Sequence, residues 1–268
     1  MVFLRIKMNK FGIIVCGYNC SKVLDKILEP WFKLKDELNL KIAAIHGLFK
    51  EYHNLGYEDN DIDTKLSLGF WKNWGNIDYL YIQDPEKEGY QNEAEIRNKG
   101  LKYLLEQNVD YVYLLDLADE YYTEQDIRNI FKFIEENNGT VSFRTRFKNY
   151  IMDGKKYIDG FNPLRCFKVD LQNYRLYKFI WDNDVVYQGK ITGDIKKGEN
   201  FSEIEIPKKV AFIIHMTWLH NNSKDKYFYH MKHFGECSYL WNEEKQEVEI
   251  NYDYYRKYNK NVPIIYEN

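Results

Sequence analysis

Residues 111–120 read Tyr-Val-Tyr-Leu-Leu-Asp-Leu-Ala-Asp-Glu, and this stretch decides the fold. Its first five residues are apolar or aromatic and of β-favouring types, which predicts a short strand buried on both faces. Three carboxylates, Asp116, Asp119 and Glu120, follow at once. Ligands of open α/β sheets bind beyond the carboxyl ends of the strands, and clustered acids are costly there unless a cation neutralises them. The stretch therefore predicts an oxygen-rich site for a hard divalent ion, Mn²⁺ or Mg²⁺.

The same acids have a second interpretation, in which they open the next helix and favour its amino-terminal dipole. A helix does follow, because Thr123 and Asp126 form a capping-box pattern and apolar residues between Ile127 and Ile134 share one face. Thr123 is already the cap, so Asp116 and Asp119 are left over for another role. This favours the metal site.

The composition predicts a globular protein without a polyanionic partner. Of 268 residues, 44% are hydrophobic and 29% charged, and the net charge is −3, so nucleic-acid binding is not expected. No apolar run approaches the roughly 18 residues that span a bilayer, and the apolar part of the start is too short for a signal peptide. The four cysteines lack scaffold spacing, which predicts reduced thiols and a cytoplasmic location.

The order of the predicted elements indicates an α/β fold. Strands at 11–16, 41–45 and 78–82 alternate with helices, as in a parallel sheet. Residues 50–76 have no clean period, and we expect a long excursion with some short helix. From about residue 140 the strands follow one another as in a meander, which predicts an antiparallel part of the same domain. A last buried strand ends at His215.

The helix predicted near residues 92–107 carries Arg97 on its apolar stripe, between Ala94 and Leu101. A guanidinium that faces the sheet needs an anion. Asp116 or a bound phosphate would meet this need, and the two are compatible.

Two motifs at this spacing resemble the family 2-like glycosyltransferases of the GT-A fold. In that family an Arg-Asn-x-Gly-Leu helix, here residues 97–101, precedes a strand that ends in an Asp-x-Asp type motif. Residues 15–19, Val-Cys-Gly-Tyr-Asn, are similar to the family's first strand. The resemblance covers about residues 11–136. It implies one GT-A (Rossmann-like) domain over residues 1–242, with a mostly parallel central sheet, a smaller antiparallel part and a C-terminal helical and aromatic extension. A nucleotide-sugar-binding half (11–136), an acceptor-binding half (137–242) and a packed tail (243–268) are expected.

The resemblance also implies roles for single residues. Asp116 and Asp119 would hold the metal and the donor's ribose and diphosphate, but the spacing Asp-x-x-Asp-Glu leaves open which two of the three acids ligate. Arg97 corresponds to the arginine near the diphosphate, and Tyr18 to the start of the base site. At His46 the family has an Asp that reads the base, so a uracil base is expected only by default.

Many GT-A enzymes also supply a histidine from a late strand to the metal, and His215, which lies beyond the resembling residues, is similar in role. Trp218 and Lys224 follow it and are expected at the donor, with Lys224 on the diphosphate. Imidazole complements carboxylates around manganese, and a mobile ammonium can close on phosphate. The alternative for His215 is a hydrogen-bonded core residue.

An inverting enzyme also needs a general base. Asp182 and Asp184 are the first candidates, in the run Trp-Asp-Asn-Asp at residues 181–184, and Asp194 is the second. The alternative for all three is a polar turn, and a retaining enzyme needs no such base.

The sequence as a whole predicts a metal-dependent glycosyltransferase that moves a sugar from a nucleotide-diphosphate sugar, a UDP-sugar by default, to a hydroxyl of a carbohydrate or glycan acceptor. A sugar-phosphate nucleotidyltransferase is the second hypothesis, although Gly-Tyr-Asn-Cys-Ser at 17–21 is a poor match to its glycine-rich loop. A non-catalytic carbohydrate-binding protein on the same fold is the third, and the complete acidic cluster argues against it.

Overall fold

The computed structural model of the protein describes residues 9–47, 61–83, 92–117, 119–140, 142–151, 156–169, 203–216, 224, 227, 228, 231, 239–258 and 264–266. Its helices in these ranges are α1 (Ser21–Lys33), α2 (Ile62–Asn73), α3 (Asn92–Glu106), α4 (Glu124–Glu136) and α5 (Tyr252–Lys257). Its strands are β1 (Phe11–Gly17), β2 (Leu40–His46), β3 (Tyr79–Ile82), β4 (Tyr111–Asp116), β5 (Glu120–Tyr121), β6 (Ser142–Arg144), β7 (Phe147–Ile151), β8 (Lys156–Phe161), β9 (Leu164–Lys168), β10 (Glu203–Glu205), β11 (Ile213–His215), β12 (Tyr239–Asn242), β13 (Glu247–Ile250) and β14 (Ile264–Tyr266).

The central sheet has seven strands in the order β10-β6-β9-β4-β1-β2-β3. Strands β4, β1, β2 and β3 are parallel, and β9 runs antiparallel to both of its neighbours. The register pairs Cys16 with Asp116 and Gly17 with His46, so β4, β1 and β2 end at the same edge. The predicted α/β class with a mostly parallel central sheet is confirmed.

Two apolar clusters cover the two faces of this sheet. On one face, Trp31 of α1 packs between Tyr113 and Phe131, and Phe131 stacks on Phe11 with ring centroids 4.3 Å apart. Burying each such side chain contributes about 1.5–3 kcal/mol. Helix α4 carries its apolar residues toward this cluster, and both hydrogen bonds of the Thr123–Asp126 capping box are formed.

Helix α3 covers the other face, and Gly100 sets how closely it approaches. A Cβ atom on Gly100 would lie 3.1 Å from Ile45 Cδ1 and 3.5 Å from Ala43 Cβ. A glycine therefore suits this position, because a larger residue would push the helix away from β2. The close fit also fixes the distance between the sheet and Arg97, which lies about one turn earlier on the same helix.

A second sheet, in the order β14-β8-β7-β11-β5, lies at the edge of the first sheet where β4, β1 and β2 end. Its pairing of β11 with β5 sets His215 directly opposite Glu120. Strand β14 from the C-terminal tail pairs with β8, while β12 and β13 form a hairpin over a small core that includes Tyr227 and Tyr255.

Helix α2 has twelve residues and lies where the sequence predicted only some short helix. Its period is hidden because apolar residues occupy both its inner and its outer face. Leu68 is buried, whereas Ile62 and Leu66 are exposed. No helix in the described ranges is both long enough and apolar enough to cross a membrane.

Candidate functional site

The carboxylate of Asp116, the last residue of β4, lies between two arginines. Arg97 Nη2 donates to its Oδ1 and Arg165 Nη2 to its Oδ2, each at 3.0 Å. Both guanidiniums are almost fully buried, whereas the Asp116 side chain keeps 24% of its surface exposed. The ion pair expected between Arg97 and Asp116 is thus present.

The carboxyl group of Glu120 is fully buried and is held by Arg165 and Tyr122. Arg165 donates to its Oε1, and the Tyr122 hydroxyl donates to its Oε2 at 2.9 Å. Burial raises the pKa of Glu120 to about 8, and this outweighs the lowering by Arg165. Burial alone would lower the pKa of Arg165, but the charges of Glu120 and Asp116 raise it instead. Glu120 is therefore the buried member of the acidic cluster, and its partners are interior side chains.

Arg165 is the site residue that the sequence analysis missed. It sits in β9, beside β4, and its guanidinium also lies over the Phe147 ring at 5.1 Å. The sequence signal was a charged residue between the apolar residues Leu164 and Cys166 of β9. Because this guanidinium and that of Arg97 offset the charge of Asp116 and Glu120, the expectation that only a divalent ion makes the acidic cluster tolerable is wrong.

Asp119 and His215 face each other at the same edge. His215 Nε2 lies 3.9 Å from Asp119 Oδ2, and the two side chains are 12% and 9% exposed. Nδ1 of His215 is 2.7 Å from Asn149 Oδ1, and the imidazole stacks on Phe147. Since an amide oxygen only accepts, Nδ1 is the donor to Asn149, and Nε2 is the ring nitrogen that faces Asp119.

A carboxylate and an imidazole nitrogen make a donor set that fits Mn²⁺ or Mg²⁺. Such ions bind through one or two carboxylates and take their remaining ligands from water and substrate phosphates. Within the described residues no group of three or more His, Cys, Asp or Glu side chains is arranged to hold a metal. The described residues thus bring together one carboxylate and one imidazole at this edge.

A second feature at this edge is a recess of about 350 Å³ after β1, lined by Tyr18, Asn19, Ser21, Asp61, Ile62 and Asp63. Asp61 caps α2 by accepting from Thr64 N at 3.2 Å, and its other oxygen accepts from the backbone N–H of Asn19. The same oxygen lies 3.1 Å from Nε2 of the buried His46. Burial would raise the pKa of Asp61, but these hydrogen bonds, that of His46 first, lower it to about 2.

Sequence reasoning also missed Asp61. His46 occupies the strand end where the resembling family has an Asp, and the structure sets a carboxylate from the start of α2 beside it. No local sequence pattern joins the two, because residues 50–76 have no clean period.

The other predicted site residues lie apart from these groups or outside the described ranges. Lys224 is 3.4 Å from Glu243 and lies over the Trp241 ring; in the part of the chain that is described, it forms no ion pair with the acids that follow β4. Trp218, Asp182, Asp184 and Asp194 are outside the described residues.

Comparisons with known proteins address the fold. No family model matches the chain, and no curated protein matches it either. Among solved structures, the mannosyltransferase PcManGT from Pyrobaculum calidifontis, in complex with GDP-Man and Mn²⁺, aligns with a TM-score of 0.50 and 11% identity over 85% of this chain and 63% of that chain. Mannosyl-3-phosphoglycerate synthase from Rubrobacter xylanophilus aligns with a TM-score of 0.47 and 9% identity over 91% and 84%.

A third solved structure, residues 1–349 of S. aureus TarS, aligns with a TM-score of 0.37 and 21% identity over 54% of this chain and 37% of that chain. This chain thus spans well under two thirds of TarS and slightly under two thirds of PcManGT. The predicted GT-A fold is confirmed.

Proposed function

We propose that this protein is a metal-dependent glycosyltransferase that moves a sugar from a nucleotide-diphosphate sugar to a hydroxyl of a carbohydrate acceptor. The observation that carries the proposal is the pairing of Asp119 with His215 at 3.9 Å, next to Asp116, at the carboxyl edge of a GT-A sheet. Ligands of α/β sheets bind at this edge. The recess that Tyr18 lines opens at the end of β1, the neighbour of β4, where a nucleotide would fit.

In this proposal Asp119 and His215 hold a divalent cation, and Asp116 lies beside it. The bound cation would neutralise the charge that develops on the departing diphosphate. His215 is oriented for this by Asn149, which fixes the tautomer and leaves Nε2 as the ligand atom. The backbone N–H of Met216 donates to the carbonyl of Asp119 at 2.9 Å, which connects the end of β11 to the acidic loop.

Arg97 and Arg165 act on the donor through Asp116. They hold both of its oxygens, so the carboxylate keeps one orientation toward the donor's ribose and diphosphate. Arg97 also corresponds to the arginine that the resembling family places near the diphosphate. We infer that it lies close to the donor's phosphates when the donor is bound.

The base of the donor is assigned to the recess. Tyr18 presents a ring there, and its centroid lies 5.9 Å from that of His46. Uracil is the expected base. The test also includes a guanine nucleotide, because the PcManGT structure contains GDP-Man. The general base, proposed as Asp182 or Asp184, and the diphosphate contacts of Lys224 and Trp218 stay predictions. A cytoplasmic location stays a prediction as well.

A thermal-shift panel tests the proposal. The protein is heated with UDP-glucose, UDP-N-acetylglucosamine and GDP-mannose, each with Mn²⁺ or with EDTA, and we expect one donor to raise Tm only with Mn²⁺. The variants are Asp119→Asn and, as the matched control, Glu136→Gln, which removes an exposed carboxylate on α4. The control should retain the shift and Asp119→Asn should lose it. Absence of any metal-dependent shift in the unaltered protein, across the panel, would overturn the proposal.

Turnover then separates the hypotheses. Release of a nucleoside diphosphate from the stabilising donor supports glycosyl transfer. Release of pyrophosphate from a nucleoside triphosphate and a sugar phosphate would instead support nucleotidyl transfer. Stabilisation by free carbohydrate alone, without any product, would support a binding protein.

A further inference from the structure

Helix α2 carries a row of large apolar side chains on its outer face, which we call the α2 ridge. It consists of Ile62, Leu66, Phe70 and Trp74, spaced four residues apart. Their exposed fractions are 61%, 66%, 48% and 69%. Phe70 and Trp74 lie together, with ring centroids 4.7 Å apart. Single exposed apolar residues are ordinary, but a continuous row of four is not.

The opposite face of the helix is already used within the chain. Thr64 and Leu68 are fully buried, and Trp71 packs against Phe32 of α1. A helix that is apolar on both faces is typical of a buried position. Among the described residues nothing covers the outer face, so the composition of α2 fits a helix that is buried by a further surface.

Gly69 gives an independent indication of close approach from outside. It lies in the middle of α2, where glycine is unfavourable for the helix relative to alanine. A Cβ atom built on Gly69 would meet no atom within 4 Å. Packing within the chain therefore does not require glycine here, whereas the close approach of another helix backbone would.

We propose that the α2 ridge is the interface between two copies of this chain, related by a two-fold axis near the middle of the helix. Rows of residues at i, i+4 and i+8 on two identical helices interdigitate when the helices cross at about −50°. A two-fold axis makes the same row serve both partners.

The size of the patch agrees with such an interface. The exposed parts of the four side chains amount to roughly 500 Å², at the upper end of the apolar patches on monomeric proteins. A standard interface buries about 800 Å² per partner, so the ridge would form its core and a polar rim would complete it. The proposal does not depend on the proposed catalytic activity; of the ridge residues, Ile62 also lines the recess that follows β1.

Sedimentation velocity over a concentration series tests the proposal. We expect the full chain to form a dimer, and Leu66→Glu and Trp74→Glu, each tested alone, to weaken dimerisation at least tenfold. Leu240→Glu is the matched control, because Leu240 is 43% exposed on the β12–β13 hairpin and should leave the dimer intact. Unchanged far-UV circular dichroism verifies that the variants are folded.

Gly69→Ala provides a second test that misfolding cannot imitate. Alanine improves the helix, so Tm of the folded chain should rise by about 2 °C, while the added methyl group should weaken the dimer. The proposal is overturned if the unaltered chain stays monomeric up to about 100 µM, far above a Kd of about 1 µM. It is also overturned if a monomeric chain binds vesicles of phosphatidylcholine and phosphatidylglycerol and Leu66→Glu abolishes that binding, since the ridge would then be a lipid-binding surface.

Discussion

Replacing Arg165 with methionine removes the cation that holds two carboxyl groups in the interior. Arg165 donates charge-assisted hydrogen bonds to Asp116 and to Glu120, and all of its surface is buried. Such bonds contribute about 1.5–3 kcal/mol each. In this variant Asp116 still accepts a hydrogen bond from Arg97, so most of the lost stability comes from the interaction with Glu120. Removing one partner from a buried ion pair costs about 3–5 kcal/mol, and we expect a fall of this size in the free energy of unfolding at pH 9, where Glu120, with its pKa of about 8, is ionised.

Equilibrium unfolding in urea, followed by tryptophan fluorescence and far-UV circular dichroism, measures this loss. The matched control is Arg128→Met, because Arg128 pairs with Glu37 at 2.8 Å on the surface; we expect a loss of less than about 1 kcal/mol there. The double variant Arg165→Met/Glu120→Leu replaces the pair with apolar side chains. It should be less destabilised than the sum of the two single variants by about 2 kcal/mol or more.

Two results would refute this reasoning. One is a loss for Arg165→Met no larger than that of Arg128→Met. The other is simple additivity in the double variant, which would mean that Arg165 and Glu120 do not stabilise each other. EDTA should leave the urea midpoint of the unaltered protein unchanged, because the arginines and not a metal ion offset the buried acids.

Three further predictions concern the site and its support. Asp119→Asn removes the carboxylate that faces His215, and we expect turnover, measured as nucleoside diphosphate release, to fall on the order of 100-fold with an unchanged Tm. The pKa of Asp61 is lowered from 3.8 to about 2, so its ionised form stabilises the fold above pH 4 by about 2 kcal/mol, and this is lost as the pH falls through 2. The difference in unfolding free energy between the unaltered protein and Asp61→Asn should therefore shrink between pH 4 and pH 2; a constant difference would contradict the assignment. Gly17→Ala would set a Cβ atom 2.8 Å from Leu117 Cβ, and we expect a loss of about 1–3 kcal/mol, measurable in urea.

The features that the sequence determined are those with a local period or a short spacing. Short runs of neighbouring residues predicted three of them: the buried strand that ends at Asp116, the capping box of Thr123 and the apolar stripe of α4. The Arg97–Asp116 pair followed from a helix face and a strand end that adjoin in any parallel α/β unit. These patterns sufficed for the fold, because strand and helix formation depend first on neighbours along the chain.

Only the tertiary structure decided which partners complete the site. Arg165 reaches Glu120 across 45 positions of the chain, and His215 reaches Asn149 across 66. Such pairs depend on which strands become neighbours in the sheets, and no period in the sequence encodes that choice. The outer face of α2 gave no clear signal for a related reason: its apolar residues resemble core residues in the sequence, and only the packing of the inner face against α1 shows that they point outward.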